Sequence, residues 1–389
     1  MYLLLLSIIY LAFISLGLPD SLLGAAWPVM RQTFDVPVSY MGVVSMIISG
    51  GTICSSLMSE RLTKRFGTRY VTLVSVFLTA VALFGFSTAS QFVFVCLWAI
   101  PYGLGAGAID AALNNYVSIH YNARHMSWLH CFWGVGTIIS PYIMSYALAK
   151  SAWSSGYRAV SFVQFGIVIV LACTLPVWNI HKKKTDEEKE PAIIGLKGAL
   201  KIKGVPWLLF GFFAYCAAEA TAMLWTSSYL VGVRNVSEKT GAAFASLFFI
   251  GITVGRFVSG LISDRLGDRN MIRLGIVVAL SGALLVMLPF ETDLPTLTGF
   301  IVIGLGCAPV YPSIIHSTPY NFGVANSQAI IGIQMASAYI GSTFMPPLFG
   351  VLSNITGLSL MPFFIAAFLL MTIIMVEKSF EKSKRTFDT

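Results

Sequence analysis

Charge is what this chain of 389 residues has least of. Asp, Glu, Lys and Arg make up 11% of it, where an ordinary soluble protein carries about 25%. The shortage is uneven. Between Arg69 and Arg124 the one charged side chain is Asp110, and from Leu294 to Val376 there is none. Such stretches exclude a large water-soluble enzyme, because they leave nothing to face water. Cysteine is scarce too: six, at positions 54, 96, 131, 173, 216 and 307, each inside an apolar segment. They read as small buried hydrophobes, not as a disulfide framework or a metal set. Missing as well are a phosphate-cradling glycine loop, a zinc-binding helix and a nucleophile elbow. His120, His125 and His130 recur every five residues, which points neighbours about 140° apart on a helix. The expectation is therefore no metal, no cofactor and no enzymatic activity.

What is present in quantity is apolar: 56% of the residues, with a mean hydropathy of +0.79. The uncharged run from Leu294 to Val376 is 83 residues long, and one spanning helix needs about 20. It lacks the two-residue alternation of a membrane barrel. Charge clusters and Pro, Gly and Asn turns divide the chain into twelve apolar spans, near 2–30, 38–58, 70–88, 91–119, 126–149, 157–179, 205–233, 238–262, 271–290, 294–316, 323–353 and 357–376. The start, MYLLLLSIIYLAF, lacks the basic flank and cleavage site of a signal peptide and is expected to stay as the first helix. The fold class expected is an all-α membrane protein with twelve transmembrane helices in two six-helix bundles. The bundles are residues 1–180 and 205–376, joined by a cytoplasmic linker at 181–204 and followed by a cytoplasmic tail at 377–389.

The net charge of +8 lies in short loops beside apolar runs, a sign of topology and not of nucleic-acid binding. With the N-terminus inside, nineteen Lys and Arg fall on the cytoplasmic side and five outside (Arg31, Lys150, Arg158, Arg234, Lys239). This asymmetry predicts that both termini are cytoplasmic. The halves also repeat. GTICSSLMSERLTKRFGTR from Gly51 and GITVGRFVSGLISDRLGDR from Gly251 share Gly, Ser, Arg, Gly and Arg at an offset of 200, and GLG at 103–105 returns at 304–306. Duplicated halves of this kind build many secondary transporters.

An acid inside a bilayer is a functional candidate by default. Three occur, Asp20, Asp110 and Glu219, on the first, fourth and seventh helices; the tenth carries Tyr311, Ser313 and His316 instead. A period of three suits inverted three-helix repeats whose first helices line a pathway. Gly17, Asp20, Gly24 and Trp27 share a helix face, as do Gly103, Gly107, Asp110 and Asn114, and Tyr215, Glu219 and Thr226. Small, amide, acidic and indole groups together suit a neutral, hydroxyl-rich ligand. His130, Trp133 and Gln334 are further binding candidates. Asp20 lies about 27 Å from the cytoplasmic start of its helix and Asp110 about 14 Å from the cytoplasmic end of its own. They are expected to act separately, each able to take up or release a proton.

GLISDRLGDR, with Gly260, Asp264, Arg265, Gly267 and Arg269, resembles the loop signature of the major facilitator superfamily, as does Gly255-Arg256. In the first half Lys64 stands where Asp264 stands in the second. Within that superfamily the chain resembles the fucose permease-like sugar:proton symporters over essentially its whole length. The carrying segments are GLGAGAIDAALNNY, FWGVGTIISP, GLGCAPVYPSIIHS and MPPLFGVLSN. The resemblance implies that Asp110 is the acid used in sugar binding and coupling, with Asn114 beside it. Aligned on Trp27 and Pro28, Asp20 falls one turn from that family's first-helix acid, where this chain has Gly24. Asp264, Arg265, Gly267, Arg269 and Arg256 would form the cytoplasmic gate. The function expected is ion-coupled symport of a monosaccharide such as glucose, galactose or fucose, by a monomer in the cell membrane, here a bacterial inner membrane. The ion would be the proton, with sodium used by related vertebrate-type carriers. The rival reading is a proton-coupled exporter of drugs or small metabolites.

Overall fold

The computed structural model describes residues 2–178 and 193–387, apart from the side chains of 238, 239, 242, 243 and 384–387. The linker expected at 181–204 thus lies outside the described residues as far as 192. Among the described residues twelve helices are long and apolar enough to cross a membrane. They are α1 Tyr2–Thr33, α2 Tyr40–Phe66, α3 Thr68–Thr88, α4 Phe92–His120, α5 Ala123–Lys150 and α6 Trp153–Cys173, then α7 Val205–Arg234, α8 Phe244–Leu266, α9 Asp268–Met287, α10 Leu294–Phe322, α11 Val324–Thr356 and α12 Leu358–Ser383. No strand occurs among the described residues. Lipid offers no partner to a backbone N–H or C=O, so an apolar run must close its hydrogen bonds within itself as a helix. A short helix, Gly195–Lys201, precedes α7. After α12 the helix continues to Phe387, through the segment set apart above as a tail.

The chain forms two compact units, one of Met1–Tyr116 with Leu129–Gly195, the other of Val117–Trp128 with Leu196–Thr389. The turn between α4 and α5 therefore belongs with the second unit. The repeat read at an offset of 200 is a repeat of geometry. Gly67 ends α2 at φ 78° and ψ 152°, and Gly267 ends α8 at φ 74° and ψ 157°. Only glycine takes such a conformation without strain, which is why the two tight turns share it. Packing repeats as well. A Cβ on Gly103 would lie 2.2 Å from the Ile48 carbonyl oxygen, and one on Gly304 would lie 2.6 Å from that of Phe248. The GLG pairs thus bring α4 against α2 and α10 against α8 at backbone distance.

One local defect positions the site. Pro19 has no N–H to give the Ser15 carbonyl, and α1 is interrupted at Ser21, between Asp20 and Leu22. Gln164 of α6, fully buried, donates its Nε2 to that same Ser15 carbonyl at 2.7 Å. Its Oε1 accepts the Thr79 hydroxyl of α3 at 2.8 Å. The Ser21 hydroxyl donates to the Thr137 carbonyl of α5 at 2.7 Å and lies 2.8 Å from Ser140 Oγ. The break is held directly from α5 and α6, and α3 fixes the glutamine that does so.

Candidate substrate and ion sites

In the first unit Asp20 sits at the last residue before this break. Its Oδ1 accepts the Tyr102 hydroxyl of α4 at 2.9 Å and its Oδ2 accepts the Trp133 indole N–H of α5 at 2.8 Å. The carboxylate faces a cavity of about 320 Å³ whose wall includes Gly24, Ser45, Ser49, Tyr102 and Tyr157. That volume is at the lower end for small-molecule pockets. The Tyr157 hydroxyl is buried and has no hydrogen-bond partner among the described residues. Gly24 opens on the same cavity, and a Cβ added to it would meet nothing within 4 Å.

Asp110 is buried elsewhere in the unit. Asn114 donates its Nδ2 to Asp110 Oδ1 at 2.7 Å and to the Asp110 carbonyl at 3.0 Å. Asn114 Oδ1 in turn lies 3.1 Å from His130 Nε2, and Phe13 meets the imidazole edge-on at 5.5 Å. Neither Asp110 nor Asn114 is on the cavity wall. Tyr102, which holds Asp20, precedes Asp110 by eight residues, about 12 Å along α4. The two acids thus belong to separate networks. Gly103 and Gly107 do not form a ligand stripe with Asp110: a Cβ on Gly107 would lie 2.1 Å from the Thr52 carbonyl oxygen, so this face is closed by α2. Trp27 is also committed to packing. It is 3% exposed, its Nε1 donates to the Val38 carbonyl at 2.9 Å, and its ring meets Phe92.

In the second unit the structure brings together two residues that the sequence assigned to different tasks. Arg256 of α8 pairs with Glu219 of α7 at 3.4 Å, and both are buried. One turn away on α7, Tyr215 donates its hydroxyl to the Cys307 carbonyl at 2.8 Å. Tyr311 of α10 packs against Phe212, with ring centroids 4.7 Å apart, and its hydroxyl reaches Met335 Sδ. Gln334 is fully buried on α11; its Oε1 accepts the Thr318 hydroxyl at 3.0 Å, and its Nε2 has no partner among the described residues.

The loop signature forms a polar cluster in the same unit. Asp264 accepts the backbone N–H of Arg124 at 3.0 Å and also its guanidinium Nε. Asp268 Oδ2 lies 2.7 Å from His316 Nδ1, whose Nε2 faces the Tyr121 carbonyl at 3.1 Å. Arg269 and Arg273 both bond Glu377, the latter at 2.7 Å. Arg265 is exposed and Gly267 makes the turn. In the first unit, where Lys64 stands in place of an acid, Glu60 one turn earlier takes part: it pairs with Lys64 at 2.9 Å and accepts the N–H groups of Ile194 and Gly195, each at 3.0 Å. Sequence reasoning missed Tyr102, Tyr157, Ser45 and Ser49 on the cavity wall, along with Arg124 and Glu60. No motif marks them; they meet only when separate helices pack.

The sequence pattern of the Major Facilitator Superfamily matches residues 9–327 and, in a second match, 240–386. Among curated proteins the chain is 23% identical to "Bypass of stop codon protein 6" of Saccharomyces cerevisiae, over 90% of this chain and 77% of that one. It is 23% identical to the "Glucose/mannose transporter GlcP" of Bacillus subtilis (78% and 77% covered). It is 26% identical to the "Hexuronate transporter" of the same organism (68% and 66% covered). Among solved structures it superposes on the E. coli fucose:proton symporter FucP with a TM-score of 0.76 at 15% identity, covering 97% of this chain and 99% of that one. The proton:xylose symporter XylE gives a TM-score of 0.78 at 12% identity, covering 96% and 94%.

Proposed function

The chain belongs to the Major Facilitator Superfamily, a multi-pass membrane transporter by family and fold, and on that footing we propose that it carries a monosaccharide together with a proton. The observation that carries the reading is the cavity beside Asp20. It combines one carboxylate held by two neutral donors, two serines and an open face at Gly24. A sugar offers the donors and acceptors that such a wall lacks, together with apolar CH faces for Phe86 and Leu83 on the same wall. In this reading Asp20 takes up the coupling ion and Trp133 and Tyr102 register its charge. Asp110, Asn114 and His130 form a second buried relay, while Glu219, Tyr311 and Gln334 serve the opposite repeat. The cluster of Asp264, Arg265, Gly267 and Arg269 biases alternating access from the cytoplasmic side, and Arg256 acts as the charge partner of Glu219. Trp27 supports the first unit by packing. The protein works as a monomer, with both termini in the cytoplasm of a bacterial inner membrane.

A ligand stabilises only the state it binds. Thermal unfolding of the purified protein against glucose, galactose, fucose, xylose and a hexuronate therefore tests the substrate class. The reading expects a rise in midpoint with at least one neutral hexose, lost in Gly24→Leu, whose side chain would fill the cavity. A rise with the hexuronate alone would transfer the site to acidic sugars.

A further inference from the structure

The ends of α7 and α12 carry a basic cluster outside the proposed transport site. Gly204, at φ 97°, turns the chain into α7, and its carbonyl accepts the Ser379 hydroxyl of α12 at 2.9 Å. A Cβ there would lie 2.8 Å from the Ser379 carbonyl oxygen, so the two backbones touch at this point. The contact draws Lys378 and Lys382, one turn apart on α12, over one indole. Their Nζ atoms lie 5.0 Å and 4.9 Å from the Trp207 ring centroid. Two acids adjoin the lysines: Glu377 is held by Arg269 and Arg273, and Glu381, exposed beside Lys382, offsets part of the positive charge.

Each ammonium gains from the indole face, but two of them on one ring repel each other, and an anion placed between them reverses that sign. Lys203, exposed in the turn before α7, adds a third positive charge. The short helix just upstream is amphipathic. Lys197 and Lys201 lie one turn apart and exposed, and so do Leu196 and Leu200, at 46% and 41% exposure. Free phosphate would have no use for those leucines. An interface helix with lysines for headgroups and leucines for acyl chains does, and Trp207 is the residue type that prefers headgroup depth.

We propose that the Lys378, Lys382 and Trp207 cluster, with Lys203 and the helix before it, holds the phosphate headgroup of an anionic phospholipid. The test uses the full-length protein in nanodiscs of phosphatidylcholine mixed with phosphatidylglycerol, followed by detergent extraction and native mass spectrometry of the lipid that stays bound. The wild type should retain phosphatidylglycerol over phosphatidylcholine. The double variant Lys378→Gln, Lys382→Gln should lose that preference by about tenfold or more, while the paired Lys→Arg variant keeps it. Lys150→Gln, at an isolated lysine–aromatic contact over Tyr146, should leave it unchanged. Unfolding midpoints in pure phosphatidylcholine check that each variant is folded. If the double Gln variant unfolds there, the paired Lys→Arg variant and Trp207→Leu decide the question on the same retention ratio. Equal retention by wild type and the Gln or Leu variants overturns the proposal. So does displacement of the lipid by glycerol phosphate or inorganic phosphate, which would make the cluster a site for the soluble anion.

Discussion

Asp20 and Asp110 show how position decides what an acid can do. Asp20 faces a cavity and meets two neutral donors; Asp110 is bound to Asn114 and through it to His130. In Asp20→Asn one amide N–H must oppose a donor, and the side chain can no longer release a proton. The variant should therefore lose uphill accumulation yet retain sugar exchange, with affinity reduced less than about tenfold. Vesicle uptake beside counterflow measures both quantities. Glu219 and Arg256 invite a different experiment. Removing one partner of a buried pair leaves an uncompensated charge and costs about 3–5 kcal/mol. Arg256→Gln alone should lower the unfolding midpoint sharply, and adding Glu219→Gln should recover most of the loss. A double variant no more stable than the single would mean the pair is not coupled.

At the scale of elements, close helix approach and the gate cluster make separate claims. Gly103→Ala forces a Cβ against the Ile48 carbonyl and should cost about 1–3 kcal/mol of stability. Gly24→Ala, which meets open space, should leave the midpoint unchanged and show its effect only in sugar binding. Asp264→Asn should slow transport while leaving equilibrium affinity nearly intact, because its partner Arg124 lies in the first turn of α5 and not on the cavity wall. His316 ties the cluster to α10: its two ring nitrogens face the Asp268 carboxylate and the Tyr121 carbonyl. His316→Leu, which can bond neither, should slow counterflow at saturating sugar while leaving equilibrium affinity nearly intact; an unchanged counterflow rate would remove the residue from the cluster.

Over the whole molecule, the sequence made the helices, their number and the duplication legible, because each follows from local features: long uncharged runs, and glycines that alone tolerate the turn at 67 and 267. Side-chain destinations were not legible in the same way. The stripe of Gly103, Gly107 and Asp110 is a true helix face, but periodicity cannot say whether a face meets a cavity or another backbone, and here α2 fills it. Asp20 was visible as an acid beside Pro19, whereas its partners Tyr102 and Trp133 come from positions 82 and 113 residues away. Such convergence has no signature in spacing. The pairing of Glu219 with Arg256 was hidden for the same reason.

Coupling of sugar to a proton is the central claim, and accumulation in proteoliposomes tests it most directly. Vesicles holding the purified protein would be given a monosaccharide that raises its unfolding midpoint, with an inward gradient of one pH unit and equal sodium on both sides. A one-to-one symporter can then concentrate the neutral sugar up to about tenfold, and a protonophore should return the inside to the outside level. Equal sugar levels with and without the pH gradient would contradict the account, and accumulation that follows an imposed sodium gradient instead would move the coupling to sodium.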